Sequence, residues 1–125
     1  MTIAVKRVYD PPAPDDGTRV LVDRLWPRGV SKERAHLDRW CREVAPSHDL
    51  RTWFHHDPTR FAEFERRYRA ELEAVPEVAE LAALGAGEAR LTLLCSARDT
   101  EHNHALVLRE VLQAYRDDTG SGSGD

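Results

Sequence analysis

No stretch of the chain approaches the roughly 18 uninterrupted apolar residues that a membrane-crossing helix needs, and no internal repeat is visible. The start, Met1-Thr2-Ile3-Ala4-Val5-Lys6-Arg7, has neither a long hydrophobic region nor a small-residue cleavage site, so a secretory leader is not expected and a cytoplasmic location is. Only two cysteines occur, Cys41 and Cys95, far apart and in neither a Cys-x-x-Cys nor a Cys-x-x-His context. That pattern excludes a disulfide framework and a zinc box, and both thiols are expected to be reduced. Also lacking are a cofactor fingerprint and a nucleophile motif. A phosphatase-type loop would follow Cys95 with arginine at the sixth position, whereas here Arg98 stands at the third and the next arginine is Arg109.

What is present is globular. Apolar residues make up 41% and charged residues 32% of 125 residues, which suits one domain that folds by its core alone. The formal net charge is −4, yet residues 19 to 42 set Arg19, Arg24, Arg28, Lys32, Arg34, Arg39 and Arg42 against Asp23, Glu33 and Asp38, a local +4 that leaves −8 elsewhere. An acidic chain with one basic segment is a poor general nucleic-acid binder but a reasonable holder of a small anion, because long-range repulsion and a local positive pocket coexist.

Ile3 to Tyr9 alternates apolar and polar residues and then meets the turn-rich Asp10 to Gly17, which predicts a strand, a break, and a second strand over Thr18 to Asp23. Ser31 suits the cap of a short helix through about Leu37, Asp38 to Val44 fits strand or helix, and Pro46-Ser47 opens a further element with Leu50, Trp53 and Phe54. Asp57-Pro58 reads as a helix start, followed by Phe61, Phe64, Tyr68 and Leu72 at spacings of three and four. Pro76 opens another helix through Leu84, for which Gly85 supplies a left-handed cap and Ala86-Gly87-Glu88 a loop. Leu91 to Cys95 fits a strand covered on both faces, and His104, Leu108, Val111, Leu112 and Tyr115 stripe a final helix. Trp40, Trp53, Phe61, Phe64 and Tyr68 read as core. This order predicts an α/β fold: a single small domain over residues 1–117, with a short, mostly parallel sheet and helices packed on its faces, then a flexible Gly/Ser tail over 118–125.

The functional signal is concentrated where strands end. Val20-Leu21-Val22 runs into Asp23, Arg24, Trp26 and the Pro27-Arg28-Gly29 turn, and Leu91 to Cys95 runs into Ser96-Ala97-Arg98-Asp99-Thr100. Open α/β sheets keep their sites at the carboxyl ends of strands. If the two strands lie side by side and parallel, Arg24, Trp26 and Arg28 meet Arg98, Asp99, His102, Asn103 and His104. The bland alternative pairs Arg24 and Arg28 with acids such as Asp23 and Asp99. His104 shares an apolar stripe, so a core histidine donating to a backbone carbonyl competes with an acid or base role. Adjacent His55-His56, and His102 and His104 two apart, do not share a face, so metal is not expected from spacing.

Arg-Val-Leu-Val-Asp-Arg-Leu-Trp-Pro-Arg-Gly at 19–29, Ala-Pro-Ser at 45–47, Leu-Arg-Thr-Trp-Phe-His-His-Asp at 50–57 and Ser-Ala-Arg-Asp-Thr-Glu-His-Asn-His-Ala at 96–105 resemble the YeaO-like branch of domain-of-unknown-function family 488. The resemblance implies a small bacterial cytoplasmic α/β protein. It also implies a pocket of Asp23, Arg24, Trp26, Arg28, Arg51, Trp53, His56, Asp99, His102, Asn103 and His104.

The leading expectation is a pocket for a small anionic or planar ligand. Arg24, Arg28, Arg51 and Arg98 would neutralise the ligand, Trp26 would stack on it, Asp23, His102 and Asn103 would line it, and His104 or His56, oriented by Asp99, would act as acid or base. Two rivals follow from other features. The clustered histidines suggest a haem or metal protein with His56, His102 or His104 as ligand. The basic segment suggests a regulatory module binding nucleic acid or protein through Lys32, Arg34, Arg39 and Arg42.

Overall fold

A computed structural model of the chain describes residues 2–85 and 90–122, with side chains of the last helix as far as Tyr115. Four strands, β1 (Ile3–Arg7), β2 (Thr18–Leu21), β3 (Arg39–Trp40) and β4 (Leu91–Cys95), form one sheet in the order β1-β4-β2-β3. Each of the three pairings is parallel, with Val5 opposite Leu93 and Leu21 opposite Leu94. β4 lies in the interior of the sheet and all five of its residues are buried, which is why its sequence is a continuous apolar run rather than an alternation. Parallel neighbours require crossovers: α1 (Lys32–Ala35) lies between β2 and β3, and α2 (His48–Phe54), α3 (Phe61–Leu72) and α4 (Glu77–Leu84) lie between β3 and β4, while α5 (His104–Gly122) follows β4 and packs back on the sheet. The chain is thus a single small α/β domain.

Alternation along the strands divides the core in two. Val20, Val22, Leu91, Leu93 and Cys95 join Phe64, Tyr68, Leu72, Leu81, Leu108 and Leu112 in the main core, while Leu21 and Leu94 face the other way, onto Val8, Ala35, Trp26 and Trp40. Local signals act as their chemistry requires. The Ser31 and Ser47 side chains accept the Arg34 and Leu50 amides, and the Glu71 carboxylate in turn accepts the Ser47 N–H at 2.9 Å. Asp57 accepts the Thr59 N–H, but Pro58–Arg60 first makes a 3-10 turn, so α3 begins three residues later than the Pro58 signal suggests. The ambiguous segment at 38–44 is both things in turn, the short β3 and then a 3-10 turn at Arg42–Val44.

Three expectations need correction. Gly85 is not left-handed: at φ −80° its N–H continues the helical pattern to the Leu81 carbonyl. Trp40, Trp53 and Phe61 are half-buried and pack against the core rather than within it, and each tryptophan has a guanidinium over its face, Arg42 at 4.2 Å from the ring centre of Trp40 and Arg67 at 4.3 Å from that of Trp53. Tyr115, at the end of the α5 stripe, is exposed. The loop at 86–88, and the tail at 118–125 apart from the backbone of the last helix, lie outside the described residues. Among the described residues no helix is long and apolar enough to cross a membrane.

One buried ionic group ties the first turn to the sheet. The Asp16 carboxylate, 2% exposed, accepts from the Ala13 N–H, Lys6 Nζ and Arg19 Nη1, and the buried Arg19 guanidinium also donates to the carbonyls of Ala35 and His36. The Thr92 hydroxyl, on the polar position of β4, donates to the Asp16 carbonyl at 2.7 Å. The charged donors gathered on Asp16 and the three donor nitrogens of Arg19 named here all have acceptors, as burial demands.

Candidate functional site

Because β1, β4 and β2 are parallel neighbours, their carboxyl ends open at one rim, and a cavity of about 790 Å³ lies there. Asp23, Arg24, Trp26 and Arg28 reach it from the end of β2, Arg98, Asp99, His102 and Asn103 from the connection between β4 and α5, His104 from the first position of α5, and Arg51 and His56 from α2 and the turn that follows. These eleven sequence-selected residues line a single hollow. Trp53, which the family resemblance adds, is not among the lining residues and instead packs beneath Arg60 and Arg67.

Charge is unevenly satisfied around the wall. Among the described residues, Arg24, Arg28, Arg51 and Arg98 have no carboxylate partner; away from the cavity Arg19, Arg39, Arg60, Arg66, Arg67, Arg69 and Arg90 have at least one, and Arg7, Arg34, Arg42 and Arg109 have none. Arg24 makes only long contacts, 3.4 Å to the Pro46 carbonyl and 3.3 Å to that of Ala45. The Arg51 Nε is buried with no hydrogen-bond partner. The bland pairing of Arg24 and Arg28 with Asp23 and Asp99 therefore does not occur, because both acids are engaged elsewhere.

Asp23 is a buckle between strand ends. Its Oδ2 accepts the Ser96 N–H at 2.9 Å, and its Oδ1 lies 3.2 Å from His104 Nε2. That imidazole donates its Nε2 proton to the Val22 carbonyl at 3.0 Å, which fixes the tautomer, since a carbonyl can only accept. Oδ1 is consequently left without a well-aligned donor of its own. Burial pushes the Asp23 pKa up, but His104 and the Ser96 N–H more than offset this and hold it below the ordinary value. His104 thus takes the core role, donating to a backbone carbonyl, while still touching the cavity.

Asp99 orders the opposite wall. Oδ1 accepts the Glu101 and His102 amides, and Oδ2 lies 3.0 Å from Nδ1 of His102. The Glu101 N–H is the leading cause of a lowered Asp99 pKa, with burial opposing and His102 adding to it. The His102 ring, edge-on to Phe61, keeps Nε2 for other partners. Asn103 is spent on structure: Nδ2 donates to the Asp99 carbonyl and Oδ1 caps α5 by accepting the Leu106 N–H. His56 is exposed and follows His55 in the left-handed region, at φ 53° and 48°, a tight reversal that brings it to the rim. The Trp26 indole donates to the Val30 carbonyl at 2.6 Å and packs edge-on to Trp40. Among the described residues no group of three or more His, Cys, Asp and Glu side chains is placed to hold a metal.

Sequence reasoning missed Tyr9, Phe54 and Phe64 in the wall. Tyr9 had a signal, since it closes the first strand-like run just before a turn-rich break; the two phenylalanines had none, because an aromatic at helical spacing serves core and wall alike. Removal of the buckle tests how the rim is held. Asp23→Ala is expected to lower unfolding stability by about 2 kcal/mol, since it orphans the Ser96 N–H, and an unchanged denaturation midpoint would show that the two strand ends are joined by other means.

An uncharacterised protein of Mycobacterium tuberculosis is 46% identical over 110 residues, 88% of this chain and 92% of the relative, and its counterpart in Mycobacterium bovis matches equally. The uncharacterised protein YeaO of Escherichia coli is 46% identical over 114 residues, 91% of this chain and 99% of that protein. No solved structure matches. A family model described as the inactive DUF488-N3 subclade matches residues 2–123, essentially end to end. The chain belongs to that DUF488 subclade.

Proposed function

We propose that this protein is a cytoplasmic binding domain whose cavity takes a small organic anion, without turning it over. The observation that carries the reading is the set of four cavity arginines without carboxylate partners among the described residues, in a protein that pairs most of its other arginines. A guanidinium fork binds carboxylate or phosphate oxygens in two parallel hydrogen bonds, so a cluster of free forks in a concave site favours an anion. Apolar surface from Phe54, Phe64, Pro27 and Ala97 supports an organic rather than an inorganic occupant. Binding without chemistry is supported by the family description as inactive and by His104, whose Nε2 is committed to Val22. The basic segment offers less to nucleic acid than its sequence suggests: Arg19 is buried on Asp16, Arg39 pairs with Glu80 and Arg42 covers Trp40.

Melting temperatures with phosphate, nucleotide and carboxylate panels test the reading. A ligand at about a hundred times its Kd should stabilise the wild type by about 2.7 kcal/mol, a shift of several degrees, and Arg24→Ala with Arg28→Ala should remove most of it. If no anion moves the wild type more than this double variant, the pocket reading fails.

A further inference from the structure

Within that cluster the four cavity arginines fall into two pairs. Arg24 and Arg51 are half-buried and share one side of the cavity: Arg24 touches the Ala45 and Pro46 carbonyls, and Arg51 stands on α2, whose cap is the next residue, Ser47. Arg28 and Arg98 are exposed, and the backbone at Arg28 and at Ala97, the neighbour of Arg98, is held next to the end of β1. There Tyr9 donates its hydroxyl proton to the Arg28 carbonyl at 3.1 Å, and Arg7 reaches the Ala97 carbonyl with Nε at 3.0 Å while lying over the Tyr9 ring. In the sheet order the ends of the inner strands β2 and β4, bridged by Asp23 through the Ser96 N–H, fall between the end of β1 and the segment after β3 on which Arg24 rests.

Two cationic foci with the Asp23 carboxylate between them repel a single compact anion from the middle of the cavity and reward one that places charge at each end. On the strength of the anion-pocket reading, we infer that the ligand is an organic molecule with two separated anionic groups, one held by Arg24 and Arg51 and the other by Arg28 and Arg98. The volume of about 790 Å³ leaves room for a skeleton between the two groups. The buried, partnerless Nε of Arg51 marks the inner end, where water competes least.

The test compares three probes by calorimetry: fructose bisphosphate phosphorylated at both ends of its skeleton, the corresponding fructose monophosphate, and inorganic pyrophosphate, which carries comparable charge in compact form. The bisphosphate should bind at least about tenfold more tightly than either of the others, since the second contact becomes intramolecular. Arg28→Gln with Arg98→Gln, and separately Arg24→Gln with Arg51→Gln, should each bring the bisphosphate down to the level of the monophosphate. Equal affinity for the three probes, or a preference that survives loss of one pair, overturns the two-ended ligand. The wild-type comparison decides the matter even if the inner variant does not fold. If none of the three binds while the melting panel finds another anion, this inference fails and the pocket stands; if the panel is also silent, both fail.

Discussion

Gly17→Ala is expected to cost the fold at least about 3 kcal/mol, through backbone strain and steric overlap together. Gly17 sits at φ 67° and ψ −136°, a region that a side chain disfavours, and a Cβ built there would lie 2.0 Å from the Arg90 carbonyl oxygen. That oxygen is not free to retreat, because it accepts the Thr18 N–H at 2.9 Å and sets the first rung between β2 and β4. Gly29 is the internal control. Its φ of 74° is equally left-handed, but nothing lies within 4 Å of a Cβ there. Gly29→Ala should cost only about 1 kcal/mol, the conformational part alone. Urea denaturation of both variants separates the two contributions, and similar midpoints would show that the Arg90 contact yields.

Asp16→Ala is expected to be as damaging, at about 3–5 kcal/mol, because it strands the buried Arg19 guanidinium without its counter-ion. Burial alone would raise the Asp16 pKa, but the Ala13 N–H, Lys6 and Arg19 override it and hold it at about 2, against 3.8 for a free side chain. A carboxyl with a depressed folded-state pKa stabilises the protein fully above the unfolded value and loses that contribution as pH falls through the folded one. Roughly 2 kcal/mol of stability should therefore disappear between about pH 4 and pH 2. Denaturation midpoints across that window should fall in the wild type and fall less steeply in Asp16→Ala; parallel slopes would assign the acid sensitivity to other groups.

Neither of these two positions was legible as important. In sequence, Asp15-Asp16-Gly17 is a turn among prolines, where acids are ordinarily solvated; only the parallel packing of β2 on β4 turns Asp16 inward and drives Arg90 against Gly17. The strands and α3 were legible because burial writes itself as period: β4 as an apolar block, α3 as Phe64, Tyr68 and Leu72. The candidate site was legible for a related reason, since strand ends in a parallel sheet share an edge and charged residues just beyond two such ends had to meet if the strands paired. What the pattern could not reveal was the partner of each charged group. Whether Asp23 would answer Arg24 or the Ser96 N–H depends on a register between segments 73 residues apart. Aromatic spacing was similarly mute on Trp40 and Trp53, which pack at the margin of the core with an arginine over the face of each ring.

The strand order has a consequence for how the chain is made. β1 and β2 are consecutive in sequence yet do not touch as strands; both wait for β4, which is translated some seventy residues after β2. While the ribosome is still delivering α3 and α4, the ladder available among the described residues is the two-residue pairing of β2 with β3. Emergence of Leu91–Cys95 then closes both halves at once, so acquisition of the native state should be late, abrupt and governed by distant contacts rather than by stepwise growth from the amino terminus.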